Sequence, residues 1–433
     1  MSTKRSWRPL VADKHGSHAV KGTFTDSGAV KGPFTALGEP DMTVKVDDDL
    51  APGEVRDGPV RVPRALRGRR TLSAKWRGAP PAVIPVDIAD MDFPLDPVIR
   101  AAVRRAIREP LVYPPHYTAN GTTEVLAAFY RQAYAMRVDP AEFWLVSSCV
   151  AASYLLLNDV LAPGDEAVYF APSYEHIPRS ITGAGGVPVP VDIHGYLDGA
   201  WSLLDRVVSG RTRVIYVCNP HNPTGRTFGA GALRHLAGLA AKWDILVVSN
   251  ELHGRLVLTG RHIPFASLGE DARARTLTLS GPTKSHNMSG LGVAFALFAR
   301  DGRWRDSPGR IGARMTMPKT VQQAALRAAY GTDSRWLRHT LVRLRANRDF
   351  AVAGLTAAGS GIAVHPPEAT YFLWLDLGGR SFTEDAAERL ERTCGVRLMS
   401  GRKFGAEGRR WARMSLATDR NLIREAVRRL AGG

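Results

Sequence analysis

Apolar residues along this chain fall into short dense runs separated by longer stretches of mixed spacing. "EAVYF" (166–170), "VPVPVDI" (187–193), "RVIYVC" (213–218), "ILVVS" (245–249), "TLTLS" (276–280) and "VAFALF" (293–298) are each of strand length. They are rich in the β-branched and aromatic residues that fit a pleated sheet. Helical spacing occupies intervening segments, as in "VAASYLLLNDVLA" (150–162) and "GALRHLAGLAAKW" (231–243). Near-continuous apolar strands alternating with helices predict an α/β fold, with a mostly parallel sheet covered by helices on both faces. Beyond about residue 330 the pattern changes. "VRLRANRDFAVAGLTAAG" reads as a long helix, "TYFLWLDL" and "RRWARMSLA" as strands, and "NLIREAVRRLAGG" as a closing helix. This predicts a smaller α+β C-terminal lobe.

Residues 1–62 lack such periodicity. They are rich in Gly, Ser, Thr, Asp and Pro, carry "DDD" at 47–49, and repeat "AVKGTFT" (19–25) as "AVKGPFT" (29–35). Low hydropathy of this kind predicts a disordered extension, and two copies are too few for a repeat array. The expected organisation is an extension over 1–62, an N-terminal arm and part of the small lobe over 63–95, a large domain over 96–330 and a small domain over 331–433.

Composition narrows the function. Three dispersed cysteines (Cys149, Cys218, Cys394) form neither a disulfide framework nor a zinc site, which points to the reducing cytoplasm. No run of eighteen apolar residues and no leader-type apolar segment is present, so neither a membrane span nor a signal peptide is expected. The formal charge of +17 comes mostly from arginines scattered through the periodic region. No zinc-finger spacing, ribonucleoprotein signature or basic zipper accompanies it, so nucleic acid is not an expected partner.

Three polar clusters follow three of the predicted strands: "CNPHNPTG", "SNELH" and "SGPTKSHN". Ligands of such sheets bind at the carboxyl ends of the strands, so the clusters imply one site. A lysine held beyond a buried strand, as Lys284 is, has its ammonium form disfavoured and can act as nucleophile and base. Alternation in "WARMSLA" puts Ala412, Met414 and Leu416 on one face and Arg413 with Ser415 on the other. An arginine in a cleft suits bidentate recognition of a carboxylate. "VSSCVAAS" (146–153) offers the N-terminus of a helix, with small residues, to an anion.

"CNPHNPTGR", "SNELHG", "GPTKSHNMSGLG" and "RRWARMSLATDR" stand in the order and spacing of class I/II aminotransferase-like enzymes that use pyridoxal 5′-phosphate. The chain more closely resembles their cystathionine β-lyase (carbon–sulfur lyase) branch, through "TLSAKW", "DIADMDFP", "ATYFLWLDL" and "GRKFGAEG". The likeness runs from about Arg70 to Ala431. It implies a fold type I enzyme, a homodimer, a small amino-acid substrate and pyridoxal 5′-phosphate as cofactor. By the same resemblance Lys284 is the Schiff-base lysine, Asn222 faces the pyridine 3′-oxygen, and His253 lies near that oxygen or orients Asn250. Tyr174 stacks on the ring, and Ser148, Cys149 and Thr283 lie at the phosphate with Ser280 as a further hydroxyl. Tyr113 reaches a neighbouring subunit's phosphate, and Arg413 holds the substrate α-carboxylate.

Three positions depart from the family pattern. Cys149 stands where glycine is common, Gly281 where a serine often precedes the lysine by three, and Asn250 where aspartate faces the pyridine nitrogen. An aspartate keeps that nitrogen protonated. An asparagine can donate to a neutral nitrogen or accept from a protonated one, but carries no charge. The electron sink is then weaker, which disfavours transamination and suits β-elimination, where the leaving group departs with the Cα proton. The sequence therefore supports a carbon–sulfur β-lyase. An aminotransferase or other α-carbon chemistry, and a non-catalytic relative kept for partner binding, are the alternatives.

Overall fold

The structure is a computed structural model that describes residues 73–432, apart from 315, 358–359, 381–383 and 406–407. The 1–62 extension and its repeat lie outside the described residues.

Thirteen strands are assigned among them. They are β1 (Ile84–Pro85), β2 (Phe143–Val146), β3 (Glu166–Ala171), β4 (Val187–Asp192), β5 (Thr212–Cys218), β6 (Leu246–Asn250), β7 (Thr276–Ser280), β8 (Ala294–Phe298), β9 (Ala363–Val364), β10 (Phe372–Asp376), β11 (Val396–Arg397), β12 (Met399–Ser400) and β13 (Trp411–Ser415). Seven form the central sheet in the order β2-β8-β7-β6-β5-β3-β4. All are parallel except β8, which runs antiparallel to both of its neighbours. The mostly parallel sheet is therefore as expected, whereas the "VAFALF" strand is reversed because only a short excursion returns the chain from β7. Strand β2 was not anticipated. Its four residues sit between two helical patterns, and the run is too short to declare a period.

Both faces of the sheet are covered. Leu156 and Leu157 of the helix Cys149–Val160 pack with Tyr216, Val248 and Leu277 on one face. Leu233, Leu236 and Ala240 of the helix Ala230–Lys242 pack with Ile215, Val217 and Val247 on the other. Alternation along β5 and β6 thus sends Tyr216, Cys218, Val248 and Asn250 to the first face and Val217 and Ser249 to the second.

The C-terminal lobe is an antiparallel sheet, β12-β13-β10-β9, packed with the helices Arg335–Leu355 and Arg420–Gly432. The first of these starts at Arg335, earlier than its pattern suggests, because Ser334 accepts the Leu337 N–H at 3.0 Å as an N-cap. Trp76, Ile84 and Val86 of the arm join this same core, and β1 pairs with β11 in parallel. A buried ion pair ties the arm down: Lys75 Nζ lies 2.7 Å from Asp92, and the Trp76 indole N–H donates to the other oxygen at 2.7 Å.

Candidate active site

The carboxyl ends of β5, β6 and β7 converge as the three polar clusters imply. The Asn219 N–H donates to the Asn250 carbonyl at 3.0 Å, and the Glu251 N–H to the Leu279 carbonyl at 2.8 Å. After β5 the chain turns through "NPHNPTG", closed by the Gly225 N–H on the His221 carbonyl at 2.8 Å. Gly225 adopts φ +70°, and a Cβ there would lie 2.4 Å from Pro367 Cβ and 2.9 Å from the Ala369 carbonyl. Only glycine lets this turn press against the segment leading into β10.

That contact sets Asn222 beside the small lobe. Arg413, on β13, donates to Asn222 Oδ1 at 2.9 Å and to the Asp87 carbonyl at 3.1 Å. Its guanidinium lies 4.0 Å from the Phe372 ring centroid and 5.0 Å from that of Phe404. Alternation on β13 does put Arg413 opposite Ala412 and Met414, which belong to the small-lobe core. Arg413 is buried, and burial pulls its pKa down to about 10. Its Nε finds no partner, and no carboxylate lies within ion-pairing distance among the described residues. Burying an unpaired cation costs several kcal/mol.

Lys284 lies four residues beyond β7, partly buried, its Nζ donating to the Ala89 carbonyl at 3.0 Å. Burial lowers its pKa; Asp90 opposes that shift and Arg413 adds to it. The "ADMDF" segment is held over the lysine by Asn287. The Asn287 amide accepts from the Met91 N–H at 2.9 Å and donates to the Met91 carbonyl at 2.8 Å. Tyr371 also donates to the Ala89 carbonyl, at 2.8 Å, so its hydroxyl shares an acceptor with the lysine. Sequence reasoning missed Tyr371 and Asn287. "ATYF" and "KSHN" marked the neighbourhood, but not which side chains face inward.

Asn250 is held by neighbours that the sequence did not indicate. Its Nδ2 donates to the Tyr216 hydroxyl at 3.2 Å and its Oδ1 accepts the Leu252 N–H at 3.3 Å; Tyr216 in turn bonds Ser153 at 2.8 Å. No hydrogen bond joins His253 to Asn250 among the described residues. The ring is buried edge-on to Tyr371 and Phe372, at 5.8 Å from the latter, with its Nδ1 unpartnered and its pKa pushed down to about 3 by desolvation. It therefore stays neutral. The missed residue is Tyr216, two positions before the end of β5 and so on the same face as Asn250.

The helix Cys149–Val160 starts at this end of the sheet. Ser148 caps it weakly, accepting the Ala151 N–H at 3.4 Å. The remaining N–H groups of a first helical turn lack intrahelical partners and suit a phosphate. Cys149 is packed against the Ser280 carbonyl, Sγ at 3.7 Å, and burial pushes its thiol up to about 12. It is a small buried residue here and not a nucleophile. The Ser280 hydroxyl donates to the Glu251 carbonyl at 3.3 Å. Thr283 is partly buried beside Lys284. Gly281 has a packing reason: a Cβ there would lie 2.9 Å from Ala294 Cα and 3.1 Å from the Val293 carbonyl of the β8 approach.

Tyr174 follows β3, half-exposed, 6.5 Å from Phe404, and the Arg413 charge counteracts the rise in its pKa from burial. Tyr113 is not part of the cluster within one chain. It is 91% exposed, and its ring faces the Lys319 ammonium at 5.7 Å.

A lysine with a depressed pKa, an unpaired buried arginine, a pair of side-chain amides and a helix N-terminus fit a phosphorylated aromatic aldehyde bound with an amino acid. Similarity to known proteins agrees. A cystathionine β-lyase of Corynebacterium glutamicum is 29% identical over 376 residues, 84% of this chain and 97% of that one. A putative cystathionine β-lyase of Mycobacterium leprae is 30% identical, over 83% of this chain and 94% of its own length. Among solved structures, a PLP-bound putative aminotransferase from Clostridium difficile 630 superposes with a TM-score of 0.78 at 22% identity, covering 84% of this chain and 96% of that one. The sequence profile described as aminotransferase class I and II matches residues 82–430, and the chain belongs to that family.

Proposed function

We propose that this protein is a pyridoxal-phosphate-dependent carbon–sulfur β-lyase that cleaves a cysteine S-conjugate or a cystathionine-like amino acid. The observation that carries this reading is the pairing of Lys284 with Arg413. A lysine whose ammonium is disfavoured lies within electrostatic reach of a buried guanidinium that has no carboxylate at ion-pairing distance among the described residues. In this reading Lys284 holds the cofactor aldehyde, Asn222 contacts the 3′-oxygen with His253 nearby, Asn250 contacts the ring nitrogen, and Tyr174 covers the ring. Ser148, Cys149 and Thr283 lie at the phosphate. Bound there, pyridoxal 5′-phosphate supplies an electron sink for negative charge developing at the substrate Cα.

The chain's own residues do the rest. Arg413 takes the α-carboxylate in a charge-assisted bidentate pair and fixes the Cα–H bond relative to Lys284. The Lys284 amine removes that proton. The Cβ–S bond breaks, the electron pair leaves with sulfur, and sulfur is released as a thiol once protonated. The remaining three-carbon fragment reacts with water to give pyruvate and ammonia. The charge-free contact at Asn250 favours this course over transamination.

The reading extends to a cytoplasmic homodimer. Ile107, Leu111, Val112 and Tyr113 are 55%, 68%, 69% and 91% exposed, an apolar run that a second copy would cover while receiving Tyr113. No helix among the described residues is long and apolar enough to cross a membrane.

Borohydride reduction of the holoenzyme followed by peptide mapping should place the cofactor on Lys284. A thioether amino acid should yield thiol and pyruvate faster than an amino donor and keto acid exchange nitrogen. Saturating cofactor without modification of Lys284 removes the assignment. Faster nitrogen exchange makes the protein an aminotransferase instead.

A further inference from the structure

Asn250 leaves a choice open at the level of sequence, because an amide can donate or accept. The structure constrains it. The Leu252 N–H is a backbone donor and can never accept, and it points at the Asn250 Oδ1 at 3.3 Å. Turning the amide over would set N–H against N–H. With the oxygen so placed, Nδ2 faces the Tyr216 hydroxyl at 3.2 Å and spends one of its two hydrogens there. Tyr216 can accept that bond and pass its own hydrogen to Ser153, 2.8 Å away. One amide hydrogen is left unspent.

The surroundings exclude a compensating anion. Asn250 stands in register with Cys218 of β5 and Leu279 of β7 and bonds Tyr216, and Ser153 and Cys149 of the helix Cys149–Val160 lie near Tyr216. Burial holds the Cys218 thiol at about 11 and the Cys149 thiol at about 12, so both stay uncharged, as does the Tyr216 phenol. The carboxylate adjacent in sequence, Glu251, belongs to the opposite face. It accepts from Ser249 at 2.8 Å and the Phe265 N–H at 3.0 Å, and pairs with His262 at 2.9 Å. The ionisable side chains near Lys284 are Arg413 and Asp90, with Asp87 acting on Arg413, and no carboxylate among the described residues hydrogen-bonds to Asn250. A protonated ring nitrogen would add a further buried cation with no carboxylate bonded to Asn250 to offset it.

We infer that Asn250, fixed by Leu252 and Tyr216, presents a hydrogen-bond donor to the cofactor's ring nitrogen and that the site holds this nitrogen unprotonated. The inference rests on the functional reading above and adds the protonation state that the site selects. Tyr216 is the positioning residue of the arrangement. A neutral ring draws less charge from Cα, which limits the site to reactions that consume the carbanion as it forms.

The test uses holoenzyme loaded with pyridoxal 5′-phosphate labelled with ¹⁵N in the ring, as wild type and as Asn250→Asp. Wild type should give the nitrogen resonance of a free-base pyridine, and Asn250→Asp that of a pyridinium. As a second probe, N1-methylated pyridoxal 5′-phosphate is a fixed cation without a lone pair. Losing the hydrogen bond should make it bind wild type roughly tenfold or more weakly than the natural cofactor, with a smaller ratio in Asn250→Asp. A pyridinium signal in wild type overturns the inference. So does an identical signal in both proteins, because Asn250 then does not meet the nitrogen. Failure of borohydride to fix the cofactor to Lys284 is a separate outcome. It overturns the functional reading, and this inference with it, before any nitrogen signal is read.

Discussion

Restoring the family's serine at Gly281 should damage this protein and not improve it. On chemical grounds a hydroxyl three residues before Lys284 offers the phosphate another donor. The packing opposes it. A Cβ at 281 would stand 2.9 Å from Ala294 Cα, 3.1 Å from Ala294 Cβ and 3.1 Å from the Val293 carbonyl. The first and last of these are backbone at the start of β8, a central strand buried along its whole length, so no flexible side chain can swing aside. Overpacking of this kind costs about 1–3 kcal/mol. A hydroxyl hydrogen bond to a charged group returns about 1.5–3 kcal/mol at best, and only with cofactor bound. The two effects separate when measured in different states. In cofactor-free protein, Gly281→Ser and Gly281→Ala should lose similar stability in urea, since both add the same Cβ. In equilibrium binding, the serine variant should take up pyridoxal 5′-phosphate no more tightly than wild type. A Gly281→Ser protein as stable as wild type that binds the cofactor tenfold more tightly would refute the steric argument. The glycine would then be a lost donor with no structural cause.

Two further expectations follow from buried charges. Arg413→Met removes the proposed carboxylate partner and should lower kcat/KM for amino-acid substrates by roughly 10–150-fold, the worth of a hydrogen-bonded charge. A substrate carrying a carboxamide in place of the α-carboxylate should lose far less, and equal losses for both would mean that Arg413 acts elsewhere. Asp92→Asn strands the fully buried Lys75 without its counter-charge and should destabilise the fold by about 3–5 kcal/mol in urea. Adding Lys75→Met to it should recover most of that loss, and no recovery would show that the pair is not the origin of the cost.

Much of this protein was legible in its sequence because the relevant signals are local. The apolar runs over 213–218, 245–249 and 276–280 declare buried strands, and the polar clusters that end them mark the strand ends at which ligands of such sheets bind. Period-two alternation alone turned Arg413 away from Met414. The replacement of a carboxylate by an amide at Asn250 is likewise visible without coordinates, and so is the loss of charge that it entails. What tertiary structure decided concerns groups far apart in the chain. Nothing near residue 250 signals that Tyr216, on the neighbouring strand, will take one of its amide hydrogens while itself bonded to Ser153 on a covering helix. Nothing near residue 281 signals that the backbone of Ala294 closes the space a serine would need. Nor does the sequence disclose that Glu251 is spent on His262 across the sheet, or that Lys284 and Tyr371 share the Ala89 carbonyl. Hydrophobic period fixes which face a side chain occupies, since burial is repaid residue by residue. Hydrogen-bond partnership and steric exclusion depend on separations of a few tenths of an ångström between distant segments, and those exist only once the sheet has assembled.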